Sequence, residues 1–148
     1  MTAAPPRGLD ERLRDTRARL AADVDLWLAT GGPAGVHLVP LSYLWDGAAF
    51  LISTPRSSVT GRNLPADGRV RLSLGPTRDV VMVDGTAEPV DDLAPEAGDA
   101  FATRTGFDPR EEDEPYQYFL IRPRRIQAWR EADELRGRTL MRDGRWLG

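Results

Sequence analysis

Val36-His37-Leu38-Val39-Pro40-Leu41-Ser42-Tyr43-Leu44-Trp45-Asp46-Gly47-Ala48-Ala49-Phe50-Leu51-Ile52-Ser53 decides the fold class. Two apolar runs rich in Val, Leu and Tyr flank Asp46-Gly47, a pair that accepts the positive φ of a tight hairpin turn. The reading is a strand over 36–45, a turn, and a second strand over 48–53. Upstream, Val24, Leu26 and Leu28 alternate, and Gly31-Gly32-Pro33-Ala34-Gly35 follows as another turn. Residues 24–30 are therefore a strand, not a continuation of the helix that Leu9, Leu13, Leu20 and Ala21 mark over 9–22. That helix interleaves Arg12, Arg14, Arg17 and Arg19 with Asp10, Glu11 and Asp15, the pattern of a solvated face. Residues 1–8, with two prolines and a glycine, read as a flexible arm.

Downstream, residues 55–67 are polar, with one helical turn expected over 61–66. Residues 69–74 alternate polar and aliphatic side chains, and 80–87 form a strand interrupted at Asp84-Gly85. A helix is expected over 91–105, with Asp91 and Asp92 as caps. Asp108 to Glu114 holds five acids in seven residues and reads as a solvated loop rather than a metal site. Residues 116–121 and 126–129 read as two strands broken by Pro123. Asp143-Gly144 closes the chain with a last hairpin over 139–147. Six or more short strands with two helices give a single, mainly β domain over 9–148, a small closed barrel with helices attached.

Composition removes whole classes of function. The chain has 148 residues, 41% hydrophobic and 29% charged, the balance of a soluble globular domain. No apolar run is long enough to span a membrane, and the opening residues lack the apolar stretch of a secretory signal, so the expected location is cytoplasmic. A formal charge of −3 argues against nucleic acid as a partner. All twenty basic residues are arginine, cysteine is absent and His37 is the only histidine. Schiff-base lysines, thiol nucleophiles and His-His metal clusters are excluded. An enzyme with this inventory leaves the chemistry to a bound cofactor.

Three stretches resemble one family. Ser53-Thr54-Pro55-Arg56-Ser57-Ser58-Val59-Thr60-Gly61-Arg62-Asn63-Leu64 is similar to the cofactor-phosphate loop of the pyridoxamine 5'-phosphate oxidase superfamily, in particular its flavin and deazaflavin oxidoreductases of actinobacterial type. Val80 to Glu88 resembles the strand that follows, and Phe119 to Trp129 the C-terminal signature. The resemblance implies a split β-barrel, a homodimer with a cofactor groove between subunits, and FMN or the deazaflavin coenzyme F-420 as cofactor.

Carried over residue by residue, it implies cofactor contacts from Pro40, Leu41 and Ser42 on the early strand. In the loop it implies contacts from Ser53, Thr54, Arg56, Ser57, Ser58, Thr60, Arg62 and Asn63. The family's phosphate-gripping cations are absent, since its Ser-Arg-Lys run reads Ser58-Val59-Thr60 here. Arg62 and Arg56 are the substitutes, and Arg62 reads equally as a surface arginine. Asp79 aligns with a flavin-contacting glutamine or caps the Arg78 turn. Trp129 lies near the flavin ring or in the core, and Arg138 matches a flavin-contacting arginine. Glu134 stands where the oxidases hold the phosphate of pyridoxal, which argues against pyridoxine 5'-phosphate as substrate. His37 is structural or a haem ligand. The implied function is hydride transfer to or from a small organic molecule, with no catalytic side chain. Two other readings are a non-catalytic flavin or haem carrier or sensor, and a dimeric split barrel without cofactor.

Overall fold

The computed structural model describes residues 4–148. Three helices, α1 (Leu9–Ala22), α2 (Val59–Ala66) and α3 (Pro95–Thr105), decorate one antiparallel sheet. Its strands are β1 (Asp25–Gly32), β2 (Gly35–Ser42), β3 (Leu44–Trp45), β4 (Phe50–Pro55), β5 (Arg69–Leu74), β6 (Val80–Val90), β7 (Tyr116–Trp129), β8 (Thr139–Arg142) and β9 (Arg145–Trp146). The hydrogen-bonded order is β2-β1-β5-β6-β7-β4-β3, with β8 and β9 attached to β7.

This order forces the sheet to curl. β2 and β3 occupy opposite ends of the path, yet only Tyr43 separates them in sequence. Six interstrand spacings would part the edges of a flat sheet by nearly 30 Å, at roughly 4.8 Å each. Two Cα–Cα steps reach only about 7.6 Å. The edges must therefore meet, and the result is a split barrel. Its interior is filled by the inward residues of each strand, among them Leu28, Ile52, Leu72, Val83, Phe119 and Ile126, all essentially inaccessible to solvent. Each contributes about 1.5–3 kcal/mol by leaving water. Leu13 and Leu20 carry α1 onto the same core.

The strands follow the alternation read from the sequence, but three elements differ. Pro123 does not break β7, which runs unbroken for 14 residues. The register against β6 slips between Asp84 and Gly85, so Asp84 faces Arg125 and Gly85 faces Pro123, leaving Arg124 as the extra residue of a bulge. A proline at a bulge loses no ladder bond. Gly85 is required there, because a Cβ would fall 2.7 Å from the Arg122 carbonyl oxygen. The second difference is α3, which starts at Pro95 with no side-chain cap. Asp91 instead accepts a hydrogen bond from Gln117 Nε2 (3.1 Å). The third is α2, which has eight residues rather than one turn because Ser58 caps it.

The arm expected over 1–8 is in part an anchor. Met1 to Ala3 lie outside the described residues, while Arg7 is only 7% exposed. Its Nε and Nη2 donate to the two carboxylate oxygens of Glu134 (3.0 and 2.8 Å), and its backbone N–H also donates to Oε2 (2.9 Å). Arg12 reinforces the clasp by donating to the carbonyls of Glu134, Ala128 and Arg7.

Candidate functional site

Curling brings the end of β2 beside the end of β4. Pro40, Leu41 and Ser42 from the first, with Ser53 and Thr54 from the second, line one pocket of about 260 Å³. These five were expected together from the resemblance. The opposite wall comes from Phe101 and Thr105 of α3, with Phe107 and Tyr116 beyond it. Phe107 and Tyr116 stack at 5.4 Å between ring centroids. Among the described residues, no charged side chain lines this pocket.

The loop that leads from β4 into α2 is held by its own hydroxyls. Ser58 Oγ donates to the Pro55 carbonyl (2.8 Å) and accepts from the Gly61 N–H (2.9 Å), the geometry of a helix N-cap. Thr54 Oγ1 lies 3.0 Å from the same oxygen. Asn63 Nδ2 donates to Thr30 Oγ1 (3.1 Å), tying α2 to β1. Thr54, Thr60 and Asn63 are buried, so these side chains build the loop. Arg56, Ser57 and Arg62 face solvent around the start of α2. Arg56 has only a long contact to Asp91 (3.9 Å), and among the described residues Arg62 has no ion-pair partner. Arg62 and Asn63 also line a second cavity of about 520 Å³, together with His37 and the tip of the β1–β2 hairpin.

Asp79, Trp129 and Arg138 form a separate group. Ser53 pairs with Tyr118 near the start of β7, whereas Trp129 ends that strand, roughly 35 Å further along its path. Asp79 is held by Arg19 (3.1 Å) and Arg130 (3.4 Å). Trp129 is half-buried opposite Val80, and the Arg138 guanidinium lies 6.0 Å from its ring centroid. One chain thus carries the expected site residues as two sets at opposite ends of one strand. Glu134, which the resemblance set at the oxidases' phosphate-holding position, is paired with Arg7 (2.8 Å). It is buried under Arg7, whose hydrogen bonds hold its carboxyl down at about 2 against the opposing effect of burial.

The family model for pyridoxamine 5'-phosphate oxidase matches residues 15–130. The chain belongs to the pyridoxamine 5'-phosphate oxidase family. The matched span ends before Glu134 and Arg138, so the correspondence drawn for those two lies outside it. No curated protein matches the chain. Solved structures that share its fold include the following three. An F420 reductase is 19% identical with a TM-score of 0.63, covering 74% of this chain and 94% of its own. A FAD-binding protein from Mesorhizobium loti is 21% identical with a TM-score of 0.64, covering 76% and 88%. A conserved hypothetical protein from Mycobacterium tuberculosis is 24% identical with a TM-score of 0.65, covering 81% and 85%.

Within this member of the pyridoxamine 5'-phosphate oxidase family, the pocket wall made by Phe101, Thr105, Phe107 and Tyr116 was not legible as a site. Phe101 reads locally as the apolar face of a helix, and nothing in its neighbourhood points to β2 or β4. Arg7 was likewise hidden, since a lone arginine between Pro6 and Gly8 gives no sign of its partner at position 134.

Proposed function

We propose that the chain is a flavin- or deazaflavin-dependent oxidoreductase that moves hydride between the bound ring and a small organic molecule. The observation that carries this reading is the uncharged pocket of Pro40, Leu41, Ser42, Ser53 and Thr54 directly beside a cationic loop. A planar ring suits the first and a phosphate the second. The first-turn N–H groups of Val59 and Thr60 have no intrahelical partner by the rule for helix starts, and Arg56, Ser57 and Arg62 surround them. When bound, the cofactor supplies the hydride chemistry; the chain binds, orients and shields.

A second copy completes the site in this reading, by bringing its Trp129 and Arg138 to the first copy's pocket. The outer face of β1 and β2 supports the pairing. Trp27 (50% exposed), Val36 (84%) and Leu38 (59%) share that face with Pro40, an apolar patch of the kind that marks an interface. A Leu38→Asp chain is expected to be monomeric by light scattering and to bind cofactor at least tenfold more weakly, with its far-ultraviolet spectrum unchanged. A dimer that survives Leu38→Asp removes this face from the interface.

The deciding experiment is a titration of apo-protein with FMN and, separately, with coenzyme F-420, following fluorescence and melting temperature. Tight binding of one is expected, and Arg62→Ala with Arg56→Ala should each weaken it about 10- to 150-fold, as loss of a charge-assisted hydrogen bond does. Binding of neither overturns the reading. The inward-turned hydroxyls of Thr54 and Ser58 favour one competing reading, a split barrel whose loop has become purely structural. That reading predicts no shift with either cofactor.

A further inference from the structure

β7 has a gap along one edge. β6 covers the other edge throughout, but β4 pairs only as far as Ile121, opposite Phe50, and β8 takes over at Ile126, opposite Met141. Residues 122–125 therefore have no strand beside them on that edge, apart from the Gly144 N–H, which donates to the Arg124 carbonyl (2.8 Å). A cavity of about 530 Å³ occupies the notch, closed by the turn at Gly47 on one side and the turn at Gly144 on the other. The notch coincides with the bulge, which puts successive arginines on one face of the sheet. Pro123 and Ile126 are buried, whereas Arg122, Arg124 and Arg125 are all exposed. Two of these have carboxylates on β6: Arg122 Nε donates to Glu88 (3.0 Å) and Arg125 Nε to Asp84 (2.7 Å). Arg124, the extra residue, has no residue opposite it on β6, and among the described residues its guanidinium has no hydrogen-bond or ion-pair partner. It lies instead over the Gly144 turn, with Nη1 3.8 Å from where a Cβ on Gly144 would sit.

We infer that this notch binds a small molecule with one carboxylate on an apolar ring, the carboxylate held by Arg124 and Arg122 and the ring by Met141 and Trp146. Size fits a small molecule, whose sites run from about 300 to 1,000 Å³. The turns at both ends exclude an added strand, which needs an open edge. Charge selects the anion. Among the described residues no acid lines the notch, and of its two guanidinium groups only that of Arg122 is offset, by Glu88. One positive charge remains, a match for a carboxylate rather than for a phosphate-ester dianion, which Glu88 repels. Arg124 offers its whole fork, the geometry that grips a carboxylate through two parallel N–H donors. Trp146 is directly opposed to Met141 across β8 and β9, so the two side chains share a face. Arg17 stacks on the indole, 4.6 Å from its ring centroid, and holds that wall in place before any ligand arrives. The site is separate from the pocket of Ser53 and Thr54. Ala48 borders the notch and Ser53 the pocket, roughly 17 Å apart along the extended chain of β4.

The inference goes beyond the proposed oxidoreductase and stands without it, since the binding needs no cofactor. The test titrates the full chain, labelled with nitrogen-15, with 2-naphthoate, using 2-naphthyl phosphate and 2-naphthol as the dianionic and neutral counterparts of the same ring. 2-Naphthoate is expected to shift the Trp146 indole N–H and the amides of Ala48, Arg124 and Gly144, and to bind roughly tenfold more tightly than either counterpart. Arg124→Ala is expected to weaken 2-naphthoate about 10- to 150-fold, as loss of a charge-assisted hydrogen bond does. Its melting temperature should hold, because an exposed, unpaired side chain supports no other part of the fold. Arg124→Lys keeps the charge without the fork and should recover only part of the loss. Arg145→Ala is the control: Arg145 adjoins Trp146 on β9, exposed on the other face, so its removal should leave the affinity in place. An equal loss in Arg145→Ala overturns the inference, because the attraction is then that of a basic surface. Equal binding of 2-naphthol, tighter binding of the phosphate, unchanged affinity in Arg124→Ala, or no shift at Trp146 up to the solubility limit overturns it as well. A final arm saturates the protein with whichever cofactor binds and repeats the titration. Both ligands bound together supports a second site, and displacement of 2-naphthoate by the cofactor overturns it. Failure of both cofactors to bind, with 2-naphthoate still held through Arg124, overturns the proposed oxidoreductase and leaves this site standing.

Discussion

Glu134→Ala is expected to lower the unfolding free energy by about 3–5 kcal/mol, the cost of removing one partner from a buried ion pair. At about 2–4 °C per kcal/mol for a chain of this size, the melting temperature should fall by roughly 10 °C. The reason is geometric. Glu134 is 3% exposed and its carboxylate accepts three hydrogen bonds from Arg7 and a fourth from the Arg130 N–H (2.9 Å). Without it, a guanidinium that is 7% exposed keeps only Asp15, at 3.2 Å, as an acidic partner. Arg7→Ala should cost a similar amount, and the double variant much less than the two losses added. Additive losses in that cycle would show that the pair is not coupled. Because the clasp also fixes the turn between Trp129 and Arg138, amide exchange over residues 130–138 should quicken in both single variants.

The same pair predicts an acid dependence. The Glu134 carboxyl sits at about 2 in the fold, against 4.5 when free, chiefly through the Arg7 hydrogen bond. A group depressed by folding adds stability that is complete above its unfolded value and is lost as pH falls toward its folded one. The expected loss between about pH 5 and pH 2 is roughly 3 kcal/mol, at 1.36 kcal/mol per pH unit. Melting temperatures of the wild type and Glu134→Gln should therefore converge as pH falls through this window. Parallel curves would assign the acid sensitivity to other carboxylates.

How much of this was legible in the sequence follows from the range of each interaction. Alternation in residues 24–30 and 69–74, and the Asp-Gly turns at 46 and 143, report local geometry and gave the strands and hairpins. The three family-like stretches gave the split barrel. Pro123 misled because a proline's effect depends on whether its N–H faces a ladder partner, and the bulge opposite Gly85 is set by another strand. Asp91 and Asp92 resembled caps, but Pro95 fits the first turn of a helix and Asp91 was taken by Gln117. In the candidate site, Pro40, Leu41, Ser42, Ser53 and Thr54 did converge on one pocket. The loop side chains of Ser58 and Asn63 turned inward because each found a nearby backbone or strand partner, a competition that residue type alone does not decide. The aromatic wall from α3 required the tertiary fold.

Tyr43→Ala is expected to be the most damaging single change near the pocket, at about 3–5 kcal/mol for the cavity alone. Tyr43 is the one residue that carries the chain between the two edges of the curled sheet, and it is fully buried. Its ring meets Phe50 edge-on at 5.3 Å, its N–H donates to the Val24 carbonyl (2.8 Å), and its hydroxyl donates to the Leu20 carbonyl (2.9 Å) at the end of α1. Against a total of about 5–15 kcal/mol, the alanine chain should be partly unfolded when warm. Tyr43→Phe separates the two contributions. It keeps the ring and strands the Leu20 carbonyl, at a cost of about 1–3 kcal/mol. Burial raises the Tyr43 phenol above its ordinary value. The folded chain therefore keeps it protonated while the unfolded chain ionises near pH 10, and wild-type stability should fall as pH rises beyond that point. The phenylalanine variant should lack that share of the loss. Ser42 and Leu41 precede Tyr43 directly, so loosening the crossing should also widen the pocket they line and weaken cofactor binding in Tyr43→Ala, measured below its melting transition. Unchanged binding there, with stability lost, would mean that the pocket is shaped by β4 and α3 and that the crossing only closes the barrel.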